Sequence, residues 1–156
     1  MHQHLAGGET TVSGSDFDGA VEGFRQALEL YVKGDPEPVM EFVSRRDDVT
    51  LANPLGPPRR GPADVDKAIA DGAAQLSDGS VRHIEEVSRY STPDLGYVVQ
   101  LERTQARLAG SRDISPIALR VTLIFRREGD TWKSRTVTLT QLRALGRSAQ
   151  PLRRRG

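Results

Sequence analysis

Apolar residues recur at steps of three and four through Phe17, Val21, Phe24, Leu28 and Tyr31, which predicts an amphipathic helix with one buried stripe. Asp16 is placed to cap its start, and Gly34-Asp35-Pro36 supplies the turn that stops it. A short second helix follows, with Val39, Phe42 and Val43 inward. Arg45-Arg46-Asp47-Asp48 then makes a charged corner, and Val49-Thr50-Leu51-Ala52 a short strand. Prolines at 54, 57 and 58 keep the stretch from Asn53 to Gly61 out of regular structure. From Ala63 to Leu76 the helical period returns, with Val65, Ile69, Ala73 and Leu76 on one side and Asp78-Gly79 as the stop.

From Val81 onward the period drops from 3.6 to 2. Residues 81–90, 95–108, 116–127 and 131–140 alternate like strands, and the connections between them are short enough for an antiparallel meander. Helices first and strands afterwards predict an α+β fold, with the N-terminal helices packed on one face of a curved antiparallel sheet. Residues 1–15 are rich in Gly, Thr and Ser and lack periodicity, so they are expected to form a disordered leader. Residues 142–156 end in Arg153-Arg154-Arg155 and are expected to form a basic, solvated tail. The domain is therefore placed at 16–141.

Composition narrows the function classes without choosing one. There is no cysteine among the 156 residues, which excludes disulfides, thiolate metal sites and a thiol nucleophile. Lys+Arg is 22 and Asp+Glu 21, so no net field draws the chain to nucleic acid or to an anionic membrane. Aromatic residues are 5% of the chain, too few for a base-stacking platform. No apolar run suits a membrane helix and the N-terminus has no signal-peptide core, so a cytoplasmic domain is expected. No metal-ligand spacing, phosphate loop or dinucleotide fingerprint is present, so neither metal nor cofactor is expected.

The order helix, Gly34-Asp35, helix, Asp48-Val49-Thr50, Asn53-Pro54-Leu55-Gly56, Arg60-Gly61, helix and four long strands resembles the SnoaL-like domains. So do Leu119-Arg120-Val121-Thr122, Phe125-Arg126-Arg127 and Trp132-Lys133. These domains belong to the nuclear transport factor two-like superfamily, with the ketosteroid isomerases, scytalone dehydratase and polyketide cyclases. The resemblance implies a cone: a curved sheet wraps a long helix, leaves a pocket at its open end, and often pairs into a homodimer through the sheet. It also tests the isomerase roles. The base position falls on Asn53, an amide that cannot take a proton at neutral pH. The oxyanion tyrosine falls on Ala27 and its partner acid near Ile124, so steroid isomerisation is not expected. His83 stands alone on a strand, without a paired carboxylate.

Two strands carry a polar stripe. Gln100, Glu102 and Thr104 share one face of 95–108, opposite the apolar phase Tyr97, Val99 and Leu101. Arg120, Thr122 and Arg126 share one face of 116–127, opposite Ile117, Leu119, Val121, Leu123 and Phe125. If the strands pair, Glu102 and Arg120 are expected as cross-strand neighbours. Three readings stay open: a pocket wall in which Glu102 orients Arg120 toward a polar or anionic ligand, an outer-face ion pair, or a polar dimer interface. On the first, Asn53, Glu102, Arg120 and Thr122 bind a small-molecule ligand. Tyr31 and Tyr97 are expected in the core, and Trp132 is expected to seal it.

The resemblance further implies His and Asp on the last strand, in a run such as His-Arg-His-Ala-Asp-Pro after Trp-Lys. Here Trp132-Lys133 leads into Ser134-Arg135-Thr136-Val137-Thr138-Leu139-Thr140-Gln141. A GC-rich coding of that stretch, read one base out of frame, spells Val-Ala-His-Arg-His-Ala-Asp-Pro. The sequence from Ser134 is thus expected to be an off-frame product of a SnoaL-like gene. The competing reading is an ordinary alternating strand.

Overall fold

The computed structural model describes residues 7–54 and 56–142, with side chains from Asp16 onward. The α+β order holds. Helix α1 (Gly7–Tyr31) and the one-turn α2 (Glu37–Met40) precede β1 (Thr50–Ala52), β2 (Arg59–Arg60) and α3 (Pro62–Ala74). The long strands β3 (Leu76–Ser91), β4 (Leu95–Leu108), β5 (Ile114–Glu128) and β6 (Thr131–Gln141) follow. They form one sheet of order β2-β1-β6-β5-β4-β3, antiparallel throughout except where β1 runs parallel to β6.

α1 buries the predicted stripe. Phe17, Val21, Phe24 and Leu28 pack with Val98, Val121, Leu123 and Phe125 of the sheet. Phe17 meets the Phe125 and Trp132 rings edge-on, with centroids 5.9 and 5.3 Å away. Trp132 closes this core as expected. The helix stops at Gly34, whose φ of 98° is a left-handed turn; the Asp35 amide reaches back to the Leu30 carbonyl at 3.0 Å.

Several boundaries differ from the sequence reading. α1 begins at Gly7, so Asp16 lies inside it rather than at its cap, and residues 7–15 of the expected leader are helical. No proline interrupts that stretch, and the glycines cost helix without forbidding it. Residues 1–6 and the expected tail from 143 onward lie outside the described residues. The proline-broken loop closes on a two-residue strand, with Arg59 and Arg60 opposite Leu51 and Thr50. α3 ends at Ala74, and Leu76 already belongs to β3. Asp78-Gly79 is a bulge in β3, not a helix stop. Asp78 has φ of 53°, and a Cβ on Gly79 would overlap the Val32 backbone.

The largest difference is the phase of β4. Val98, Gln100, Glu102, Thr104 and Ala106 are buried on the helix-covered face. Tyr97, Val99 and Leu101 lie on the other, and Tyr97 is 37% exposed, so it is not a core residue. β5 keeps its apolar phase inward. The register pairs Glu102 with Leu119 and Leu101 with Arg120. Glu102 and Arg120 therefore stand on opposite faces of the sheet. One residue of register exchanges every inward side chain for its outward neighbour, and the sequence pattern of a strand with a mixed inner face does not fix that choice.

Candidate functional site

Between α1, α3 and the inner face of the sheet lies a cavity of about 380 Å³. Its wall is mainly apolar: Phe24 and Leu28 from α1, Ile69 from α3, Leu119 from β5, Val137 and Leu139 from β6. Polar side chains enter it at few points. Glu102 and Thr104 come from β4, Tyr31 from the end of α1, Asn53 from the turn after β1, and Gln75 and Gln141 from the rim. Of the predicted ligand-binding residues, Asn53 and Glu102 meet here. Arg120 is exposed on the outer face, and Thr122 lines an outer groove with Tyr90 and Tyr97. The reading in which Glu102 orients Arg120 is thereby overturned, and no Lys, Arg or His lines the cavity among the described residues.

Glu102 is 3% exposed. One carboxyl oxygen, Oε2, accepts a 2.8 Å hydrogen bond from Gln100 Nε2. Burial pushes the carboxyl up to about 7; the Gln100 hydrogen bond and the charge of Arg25 pull in the opposite direction. Oε1 accepts no hydrogen bond from the described residues, and Glu102 lines the cavity. Gln100 is wholly buried. Its Oε1 accepts from Arg25 Nε at 3.0 Å and from Nη2 at 2.8 Å. Arg25 also donates to Glu22 and Glu86, and Glu86 is gripped in turn by Arg89.

Tyr31, expected in the core, lines the cavity. Burial raises its phenol to about 12, so it is a neutral hydrogen-bonding group at physiological pH. Gly72 of α3 makes room for it, since a Cβ there would overlap the Tyr31 hydroxyl. Ala27 is buried in the core, one helical turn before Tyr31, and Ile124 faces away from the cavity. Neither supplies a polar group to it. Arg25 was missed because a polar residue beside an apolar stripe looks solvated until its long-range partner is known.

A second polar cluster sits on the charged corner. Arg126 grips both oxygens of Asp48, at 2.6 and 2.9 Å, and donates to Glu128 and Ser44. The Arg126 hydrogen bonds hold the Asp48 carboxyl well below the usual carboxylate range. These charges satisfy one another and tie the corner to the sheet. Among the described residues no group of three or more His, Cys, Asp or Glu could hold a metal ion. No helix there is long and apolar enough to cross a membrane.

No protein-family model and no curated protein sequence matches the chain. Solved structures do. A nuclear transport factor 2-like superfamily protein from Salmonella enterica superposes with a TM-score of 0.72 at 10% identity, over 90% of this chain and 98% of that one. A ketosteroid isomerase-like protein from Erwinia carotovora matches with 0.69 at 14% identity, over 83% and 96%. An NTF2-like family protein from Streptomyces avermitilis, described as a candidate dehydratase, matches with 0.68 at 21% identity, also over 83% and 96%. At these identities the likeness is one of architecture. The chain has the NTF2-like, ketosteroid isomerase-like α+β fold.

Proposed function

We propose that this is a SnoaL-like domain whose cavity binds an uncharged, mostly apolar small molecule with one oxygen function directed at Glu102. The cavity carries the reading: a volume of about 380 Å³ suits a small ligand, and its one carboxyl stands in an apolar wall. An anionic ligand would meet that carboxyl with no cation among the described lining residues to offset it. Decalone and decahydronaphthalene carboxylate test the point, because they share a frame and differ in charge. At neutral pH decalone should shift the methyl NMR signals of Leu119, Val137 and Leu139, and the carboxylate at the same concentration should not. Equal responses, or none, would count against the proposal.

One observation favours a catalytic form of the same reading. A carboxyl that titrates near 7 can both take and give a proton at physiological pH, as lyase and isomerase chemistry requires. The dehydratase and isomerase-like names among the fold neighbours agree with this. Steroid isomerisation is not expected, because Asn53 occupies the position of the base that the resemblance implies. Deuterium uptake at the α-carbons of decalone in D2O separates binding from catalysis. Uptake faster with the unaltered protein than with Glu102→Gln supports proton transfer, and equal rates leave binding alone.

A further inference from the structure

We infer that Arg25 and Gln100 are positioning residues that favour one oxygen of Glu102, Oε1, for exchanging a proton with the contents of the cavity. This rests on the cavity being a ligand site and adds which atom faces the ligand and what holds it there.

An amide side chain can be reversed end for end, so its orientation must come from its neighbours. The guanidinium of Arg25 has only donors. It places Nε and Nη2 on one atom of Gln100, and that atom has to be the carbonyl oxygen. The amide nitrogen then faces Glu102 Oε2 at 2.8 Å as a donor. A donor on Oε2 favours that oxygen as the carbonyl oxygen of the neutral acid, because a carbonyl oxygen accepts better than a hydroxyl, and so favours the proton on Oε1. When Glu102 is neutral, its proton is favoured on Oε1; when it is ionised, Oε1 is the oxygen that no described residue donates to. The Gln100 donor thus biases the carboxyl toward meeting the ligand through Oε1, as an O–H when neutral and as an acceptor when ionised.

Arg25 is itself held. Its Nη2 bonds Glu86 at 3.0 Å and its Nη1 bonds Glu22 at 3.1 Å. Arg89 ties Glu86 to Asp18 one layer further out. Among the described residues the charged and titratable groups around Glu102 are few. α1 contributes Arg25 and, inside the cavity, Tyr31. β3 contributes Glu86, opposite Gln100, while Ile84 lies opposite Glu102 itself. On the other side β5 presents Leu119 and Val121, and α3 brings only Ala68, Ile69, Gly72 and Gln75 to the cavity.

The test uses the whole chain without ligand, with NMR of 13C-labelled Glu carboxyls and of the Gln side-chain amides. Glu102→Gln and Gln100→Leu assign the signals. In the unaltered protein one amide proton of Gln100 should move with the same midpoint as the Glu102 carboxyl. In Arg25→Met the amide is released and the positive charge lost, so the Glu102 midpoint should rise by about one pH unit. Arg25→Lys keeps the charge but not the two-point grip, so its midpoint should fall between the two. Gln100 amide protons indifferent to Glu102, or a Glu102 midpoint unmoved or lowered in Arg25→Met, would overturn the inference. Should Arg25→Met fail to fold, the co-titration in the unaltered protein and the Arg25→Lys midpoint decide it. If these hold while decalone fails to bind, the ligand reading falls and the wiring stands.

Discussion

Glu102→Gln should make the protein more stable above neutral pH and leave it nearly unchanged at pH 4.5. The folded carboxyl holds its proton up to about 7, whereas in the unfolded chain it loses it at the ordinary 4.5. Between those values the folded state binds the extra proton, so stability falls as pH rises, and it is level on either side. At about 1.4 kcal/mol per pH unit, that window amounts to roughly 3 kcal/mol. This is a sizeable part of the roughly 5–15 kcal/mol that holds a domain together. Glutamine has the shape of the neutral acid. Its oxygen can accept from Gln100 Nε2, and its NH2 group takes the place of the acid O–H on the cavity side. Urea unfolding of both proteins at pH 4.5, 6 and 8 reads the difference. Asp48 and the other titrating groups are common to both and cancel. Two stability curves that run parallel across the three pH values would refute the burial of an ionisable Glu102.

Gly96→Ala should cost about 1–3 kcal/mol, because its Cβ would lie 2.7 Å from Cζ of the fully buried Phe17; an unchanged thermal midpoint would contradict this. Asp48→Asn should flatten the acid limb of stability. The depressed Asp48 carboxyl contributes stability above the ordinary Asp range, which is lost as pH falls through its folded value, and identical acid unfolding of the two proteins would reject that. We propose a homodimer through the outer face of the sheet, where the Tyr90 and Tyr97 rings lie tilted with centroids 6.3 Å apart beside exposed Leu95; light scattering that gives a monomer at tens of micromolar would end it. The coding DNA of Ser134 to Gln141, read one base out of frame, should spell a run like His-Arg-His-Ala-Asp-Pro, and a neighbouring frame without it leaves ordinary divergence.

Element order was legible because the period of the apolar residues falls from 3.6 to 2 after the third helix, from Val81, and stays there. The helix stripe Phe17 to Leu28 and the inner face of β5 needed nothing more, since each has an unbroken apolar phase. β4 defeated the same logic. Its apolar phase, Tyr97, Val99 and Leu101, faces outward, and its inner phase mixes Val98 and Ala106 with Gln100, Glu102 and Thr104. Only the pairing with β5 and the arrival of Arg25 from a helix 75 residues away decide between the two. Asn53 came from the position that the resemblance gives it and Glu102 from the polar stripe of its strand, and both line the cavity. Tyr31 was hidden by sitting on an apolar stripe, and Arg120 and Thr122 were misplaced by one residue of register. β6 forms an alternating strand between β5 and β1 with Val137 inward, so its pairing does not distinguish an off-frame origin from ordinary divergence.

Burying Gln100, Glu102 and Thr104 side by side is costly, and an apolar row of the same size would hold the sheet to α1 at least as well. The arrangement survives because the cost is divided. Gln100 satisfies its oxygen on Arg25 and one of its amide hydrogens on Glu102. Glu102 meets its remaining need by staying protonated or by meeting a partner in the cavity. Arg25 keeps its charge solvated in part and paired in part, at the edge where α1 crosses β3 and β4. The neighbour of Arg25 on α1, Phe24, lines the cavity and anchors the core, so the turn that fixes the packing also fixes where the guanidinium reaches. Fold and site are thereby set by one helix register. A slip of α1 that moved Arg25 off Gln100 would also pull Phe24 and Leu28 from their places, which is why the polar row can be held so near a cavity without loosening the core around it.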